Sequence, residues 1–478
     1  MEQKYPKMKP NQYFNALEKA FHHGNDFLDG LDTNPVGTPA SYDELKKLWD
    51  WNLPAEGKDP AEVIEDLNRS ARPGLNLNQS GRFFAWVIGG SHPSAIAADW
   101  LTSVWDQNAG LYAGTPSSGI VEEIAGSWLK QLLKIPANAS FAFVTGGQMA
   151  NFTCLLVARN HLFQQAGWDF EADGFYGAPP VRIICGEHKH NTVIKALRMI
   201  GFGSKSIVEL PTHEDGSIQV EAVRKEFELN PRIPTLLALQ AGEIHTGAFD
   251  DFQSIIPIAH QHQAWVHIDG AFGLWAAASP TYAHLMKGAE QADSWSTDGH
   301  KWLNVPYDSG YAFIAHPASH YKTFTNSADY LVQDTKARDQ FNWTPELSRR
   351  ARGYATYAVI RELGAKGIKA LVDRLCRHAS AIIEGASLLP QTEVMAYPVI
   401  NQGLLRFHHP THPQDEALND IFTEEVIAAV NASGEAFFQP STFRNKRCMR
   451  VSVSGWRTNE DDVRRTIVAI GEAIKKLS

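Results

Sequence analysis

Cysteine is scarce: four in 478 residues (Cys154, Cys185, Cys376, Cys448), far apart and without a CxxC pair. That argues against a disulfide-stapled scaffold or a cysteine metal knuckle. Three of the four sit in apolar runs, as reduced, buried thiols of a cytosolic protein do. Positive charge is also short, with 44 Lys and Arg against 53 Asp and Glu and a formal net charge of -9, which argues against a nucleic-acid partner. No block of like charges forms a tail. No apolar run reaches the roughly 18 residues that span a bilayer, so no membrane partner is expected. The opening MEQKYPKMKPNQ is polar and lacks a signal-peptide core, so a cytoplasmic location is expected. Repeats and low-complexity stretches are missing. So is a nucleotide-phosphate loop: Gly201 to Ser206 lacks the required spacing.

What remains is an ordinary globular composition, 44% hydrophobic and 20% charged, long enough for a large domain and a smaller one. Residues 11 to 29 space their apolar side chains as a helix. Residues 30 to 80 are rich in Pro, Gly and Asn, with short helical pieces at Tyr42 to Trp51 and Pro60 to Arg69, and read as an extended arm. An aromatic stretch, Phe83-Phe84-Ala85-Trp86-Val87-Ile88-Gly89-Gly90, follows. Helices are predicted over Pro93 to Asn108 and Glu122 to Leu133.

From 141 onward short apolar runs alternate with helical ones. Strands are predicted at 141–144, 181–185, 235–239, 265–268 and 310–314, with helices at 148–164, 192–200 and 252–262. Strands apolar on both faces and separated by helices predict a mostly parallel sheet covered on both sides. A long helix is predicted from Pro345 to about Leu363, then another to Leu388. Residues 390 to 478 read as a small α+β domain with strands at 393–396, 403–408, 436–439 and 449–453 and helices at 415–431 and 459–476. The domains are expected at 1–90 (helical arm), 91–365 (large) and 366–478 (small).

Chemistry-bearing residues fall at the predicted carboxyl ends of strands, where such sheets bind ligands. Thr145-Gly146-Gly147-Gln148-Met149-Ala150-Asn151 follows a strand and opens a helix. Its glycines allow close approach, and free amides in the first turn favour a phosphate. Without a ligand the same loop would be a glycine-rich turn. Glu187-His188-Lys189-His190 offers an imidazole that can stack on a flat ring or carry a proton. An i, i+2 histidine pair alone is poor support for a metal site, so no metal is expected. Asp269 closes the strand His267-Ile268-Asp269-Gly270-Ala271. A carboxylate there needs a positive partner, and a protonated pyridine nitrogen would serve; a helix N-cap is the plainer alternative. In Thr297-Asp298-Gly299-His300-Lys301-Trp302, the polar residues predict a turn that presents Lys301. A lysine confined by aromatic walls does not easily keep its charge, and the neutral amine attacks carbonyls.

Phosphate loop, histidine, aspartate and lysine occur in this chain order, with 32 residues from Asp269 to Lys301. Together they resemble the fold-type I pyridoxal-phosphate enzymes, and within them the group II amino-acid decarboxylases, from about Gly81 to Ala355. Ala241-Gly242 with Thr246-Gly247-Ala248-Phe249-Asp250, and Pro345-Glu346-Leu347-Ser348-Arg349-Arg350, are further matches. The resemblance implies an α/β fold-type I architecture and a homodimer with shared active sites. It implies pyridoxal 5'-phosphate as cofactor and a small amino-acid substrate. It gives Lys301 the covalent anchoring of the cofactor, Asp269 the pyridine nitrogen, Ala271 the far face of the ring and His190 the stacking. The phosphate falls to the amides of Gly147, Gln148 and Met149 with His300, and Thr246 joins the cofactor site. Phe84, Trp86 and Tyr112 would line the substrate pocket, and aromatic substrates are the first expectation. No arginine for an acidic substrate is identified.

The sequence departs from that pattern at three places. Gln148 replaces the serine or threonine of the phosphate loop. Glu243 and Ile244 replace the threonines after Ala241-Gly242. The loop from Leu331 to Thr344 offers Phe341 and Trp343 but no tyrosine to return a proton to the substrate carbon. The expected reaction is decarboxylation to the amine. The alternatives are oxidative decarboxylation-deamination to an aldehyde, carbon–carbon lyase chemistry, and a catalytically silent binding protein of the same fold.

Overall fold

The computed structural model describes residues 11–478 apart from 38, 50, 230 and 326–336. Among these residues eleven strands form two sheets. The larger contains β1 (Ser140–Val144), β2 (Arg182–Gly186), β3 (Ile207–Leu210), β4 (Thr235–Gln240), β5 (Trp265–Asp269), β6 (Ser294–Asp298) and β7 (Gly310–Ile314), in the order β1-β7-β6-β5-β4-β2-β3. The pairs from β3 across to β6 are parallel. Only β7 is antiparallel to its neighbours. Side chains alternate between two apolar cores. Phe141, Phe143, Leu237, Leu239, Val266 and Phe313 face one, and Ala142, Val144, Leu236, Ala238, Trp265 and Ala312 the other. A period of two with both sets apolar is what a sheet covered on both faces requires. Helices 116–133 and 353–387 belong to the first core, and 147–165 with 191–199 to the second. The expected α/β architecture is the one that forms.

The second core has a polar exception. His267 and Asp269 share the parity of Trp265 on β5, and Ser294 and Ser296 lie beside them on β6. With Asp298 they form a stripe of buried polar side chains under helix 147–165. Buried polar groups cost free energy unless they are paired, so this stripe marks the site.

The smaller sheet is antiparallel, β10-β11-β9-β8, with β8 (Thr392–Ala396), β9 (Gln402–Phe407), β10 (Gln439–Phe443) and β11 (Lys446–Ser452). Arg444 and Asn445 have φ of 51° and 61°, the left-handed pair of a tight hairpin turn between β10 and β11. The N-terminal helices 11–29 and 60–71 pack on each other through His23, which is 3.0 Å from Glu65. Beyond them the chain docks on the C-terminal segment that carries the smaller sheet. Phe84 N donates to Phe437 O at 2.9 Å, and the buried Arg82 donates to the carbonyls of Asp32, Asn34, Gly434 and Glu435.

Several boundaries differ from the sequence expectation. The long helix begins at Gly353, not Pro345, because 344–352 is fixed by ion pairs: Arg349 to Glu122 at 2.8 Å and Arg352 to Asp308 at 2.7 Å. Gly364, at φ 59° and ψ 175°, kinks that helix, and its second half runs to Ser387. β10 starts at Gln439, not 436, because Phe437 is bridged to Phe83 of the arm. Thr297 and Asp298 end a strand and are not turn residues. The half-buried edge strand β3 is too short and mixed to be legible in the sequence.

Candidate active site

The loop after β1 is tight. A Cβ on Gly310 would run into the backbone of Gly146, and one on Gly147 would lie 2.8 Å from Asp298 Oδ2. Helix 147–165 begins directly there, so its first-turn amides point at the carboxyl ends of β5 and β6.

Asp269, at the end of β5, is 6% exposed. Its Oδ2 accepts from Asn151 Nδ2 at 3.1 Å and its Oδ1 from Ala271 N at 3.2 Å. Asn151 Oδ1 in turn accepts from Ser296 Oγ at 2.6 Å and meets His267 Nε2 at 2.9 Å. Ser294 Oγ, itself accepting from Trp265 Nε1 at 2.9 Å, lies 3.0 Å from His267 Nδ1. Burial pushes His267 down to about 4, so it is neutral. The chain of bonds then assigns its proton to Nε2, donated to Asn151. Asp269 is thereby the one anion in a neutral, satisfied network. Asn151 and His267 were not singled out in the sequence. The available signal was spacing: His267 and Asp269 stand two apart on one strand face, and Asn151 sits one turn into the helix.

Lys301 follows β6 after a two-residue turn. Its Nζ is 3.2 Å from Asp298 Oδ2 and 5.7 Å from the centre of the Phe272 ring. Asn304 (φ 53°) locks the turn, donating to Lys301 O, Trp302 O and Ser454 O and accepting from Gly90 N at 2.7 Å. The aromatic stretch therefore threads against the lysine turn. It does so with Trp86 and Val87 at φ 54° and 58°, a backbone strain of about 1–3 kcal/mol for each such residue.

His190 caps helix 191–199 and stands at the pocket mouth, exposed to solvent. The pocket wall still withdraws it from bulk water, and this lowers its pKa. Lys301 and Arg450 lower it further, while Asp269 and Asp298 oppose. Arg450, on β11, is 7% exposed, and among the described residues its Nε has no hydrogen-bond partner. Burial lowers its pKa and the nearby Glu243 opposes. Burial would raise Glu243, but His245, 2.7 Å away, and the amides of His245 and Thr246 hold it below the usual carboxylate value.

One pocket is lined by Gly147, Gln148, His190, Asp269, Ala271 and Lys301, together with Thr192, Gln240, Gly242, Ile244, Phe272 and Asp298. Other expected site residues are not among its lining residues. Thr246 is buried, with its hydroxyl donated to Asp215 O at 2.6 Å. His300 is tied to Asp298 at 3.2 Å and stacked on Tyr307 at 4.1 Å. Met149 packs against the second core. Phe84 is fully buried and stacked on Phe438, Trp86 is 45% exposed beside Phe83 and Phe437, and Tyr112 rests on Gly119 with its amide bound to Asp339. Trp302 is core, so the wall around Lys301 is Phe272 and a carboxylate rather than aromatic throughout. Of the loop 331–344, positions 331–336 lie outside the described residues. Phe341 is 3% exposed, with its amide donated to Gly110 O, and is not a pocket residue of its own chain.

Residues 43–408 match the family described as the pyridoxal-dependent decarboxylase conserved domain. An aromatic-L-amino-acid decarboxylase from Bacillus atrophaeus is 24% identical over 460 residues, covering 95% of this chain and 93% of its own. A phenylacetaldehyde synthase from Petunia hybrida is 22% identical over 448 residues, covering 90% and 87%. Among solved structures, Oryza sativa TDC with pyridoxal phosphate and tryptamine superposes with a TM-score of 0.92 at 20% identity, covering 99% of each chain.

The pocket fits a pyridoxal phosphate. Gly147 leaves no room for a Cβ at its floor, and the small Ala271 leaves space on its wall. Gln148 Nε2 is buried without a partner among the described residues, a donor awaiting an acceptor. Asp269 is a fixed anion lining the same pocket as the Lys301 amine.

Proposed function

We propose that this chain, which belongs to the pyridoxal-dependent decarboxylase family and is a pyridoxal-phosphate-dependent carboxy-lyase, converts an L-amino acid, aromatic by preference, to its amine and CO2. The observation that carries the reading is the convergence of Lys301, Asp269 and His190 on one pocket. When bound, the cofactor supplies an electrophilic aldehyde and a ring that accepts the electron pair left behind by departing CO2. Lys301 is the amine that would anchor it. Asp269 would hold a proton on the ring nitrogen, kept in aim by Asn151 and neutral His267. Gly147, Gln148 and Met149, with His300, would hold the phosphate, and Ala271 would face the ring. His190, its pKa lowered chiefly by withdrawal from bulk water, would stack on the ring as a neutral imidazole and would become positively charged only on taking up a proton. Thr246 would support Glu243 through its amide, which donates to that carboxylate at 2.9 Å.

The preference for aromatic substrates is supported by the curated relatives and by Trp86 and Tyr112, which stand partly exposed beyond the pocket. An acidic substrate is the second reading. The observation in its favour is Arg450, a buried cation near His190 that sequence reasoning missed. Aldehyde formation is supported by the match to the Petunia enzyme. The chain is proposed to act as a cytoplasmic homodimer. Tyr13, Phe14, Leu17 and Phe21 on the first helix and Trp100 and Val104 on helix 93–105 are all 43–66% exposed, more apolar surface than a monomer usually leaves open. The Gly110–Tyr112 loop and Trp86 would then complete the partner's pocket. Light scattering of purified protein should give twice the chain mass, and Phe14→Glu with Leu17→Glu should halve it.

The deciding experiment supplies purified protein with pyridoxal phosphate and a panel of L-amino acids in air, followed by mass spectrometry and a peroxide assay. An aromatic amine without peroxide supports the reading. An amine only from acidic substrates assigns Arg450 the role of substrate anchor. Aldehyde with peroxide and ammonia replaces simple decarboxylation by the oxidative reaction.

A further inference from the structure

Asp298 occupies ground that a phosphate would need. It ends β6, is 3% exposed, and its backbone is pinned on both sides: its amide donates to Ala271 O at 3.0 Å and its carbonyl accepts from Trp275 Nε1 at 3.2 Å. Oδ1 accepts the amide of Gly147, the first donor of helix 147–165, and is 3.2 Å from His300 Nε2. Oδ2 is 3.2 Å from Lys301 Nζ. One carboxylate thus engages a phosphate-loop amide, the neighbouring histidine and the anchoring lysine. The pocket wall has little cation to spare: its lining residues include one lysine, no arginine and two aspartates. Gln148 Nε2 meanwhile has no partner among the described residues.

We propose, resting on the assignment of this pocket to pyridoxal phosphate, that Asp298 is a positioning residue that holds the phosphate seat and Lys301 in the cofactor-free protein, so that loading must displace an internal anion. A fixed carboxylate opposes an incoming phosphate at short range in a site of low dielectric. It also stabilises the empty site by satisfying the helix amide and the lysine charge. Asp298 therefore weakens and slows uptake of the phosphate-bearing cofactor.

The test strips the full-length protein of cofactor and titrates it with pyridoxal phosphate and, separately, with phosphate-free pyridoxal. The visible absorbance of the lysine-bound aldehyde and tryptophan fluorescence report binding. Asp298→Asn keeps an acceptor for Gly147 and removes the charge. It is expected to bind pyridoxal phosphate about tenfold tighter and pyridoxal within about twofold of wild type. Asp298→Ser, smaller and also uncharged, is expected to shift the same ratio and stands in if the asparagine variant does not fold. Binding of inorganic phosphate, read by thermal shift, should tighten in both. Weaker binding of both aldehydes would make Asp298 a plain helix cap. An unchanged ratio, or a loss confined to pyridoxal phosphate, would equally overturn the idea. Absence of any lysine-bound absorbance in wild type and variants would instead overturn the cofactor assignment itself.

Discussion

The closed end of the pocket and its mouth are built differently. At the closed end Asp269, Asn151, His267, Ser294 and Ser296 come from two strands and one helix of the same chain, are buried, and are joined by bonds of 2.6–3.1 Å. At the mouth His190 is exposed; near it Arg450 Nε has no partner among the described residues, and beyond the pocket Trp86 is nearly half exposed on a strained backbone. A saturated network fixes one geometry and one charge. An unsaturated rim leaves room for a substrate, a loop or a second copy to complete it. On the proposed reading, general chemistry would be held by the rigid part, and selectivity would fall to the part still open.

The sharpest way to break this comparison is at the closed end. Lys301→Ala should drop turnover below about a thousandth of wild type while circular dichroism stays unchanged; residual activity near wild type would remove the lysine from the chemistry. Asp269→Asn should cost about a hundredfold and release cofactor on dialysis. Asn151→Ala, which leaves a buried carboxylate and a histidine each one partner short, should cost roughly tenfold; a larger loss than for Asp269→Asn would invert the order of importance drawn here.

Acid should also act on the closed end first. His267 sits near 4 in the folded chain against an ordinary 6.5, chiefly through burial. A depressed base contributes stability fully above its unfolded value and loses that contribution as pH falls through its folded value. Between pH 6.5 and 4, stability should fall by on the order of 3 kcal/mol from this group. Thermal unfolding of His267→Gln should show a shallower decline over that window. An identical slope would mean that other buried groups carry it.

The smallest effect belongs to the rim. Trp86→Ala, acting through the partner's pocket that Trp86 is proposed to complete, should alter KM and the ranking of substrates by about threefold to tenfold and leave kcat for the best substrate nearly unchanged. A collapse of kcat would mean the rim takes part in the chemistry and would erase the contrast.

The mostly parallel sheet was legible because each strand carries two apolar faces, which has few other solutions. Lys301, Asp269, His190 and the Gly146-Gly147 loop were legible because strand-end residues of unusual type recurred in one order. Asn151 and His267 were not, since a histidine and an asparagine 116 apart declare nothing until β5 and helix 147–165 face each other. Arg450 was missed for the same reason, coming from the other sheet. Phe84 looked like a pocket residue because aromatics are equally at home in a core, and Phe438 claims it.

By itself, the sequence determined most of the strands, where the candidate reactive residues fall along the chain, and what kind of cofactor they suit, because periodicity and residue type are local properties. The tertiary structure alone decided that Asp298 leaves the expected turn to face Lys301, that His267 is neutral, and that Arg450 stands beside His190. Those depend on distances between segments far apart in the chain, and electrostatic energies are set by such distances and by burial.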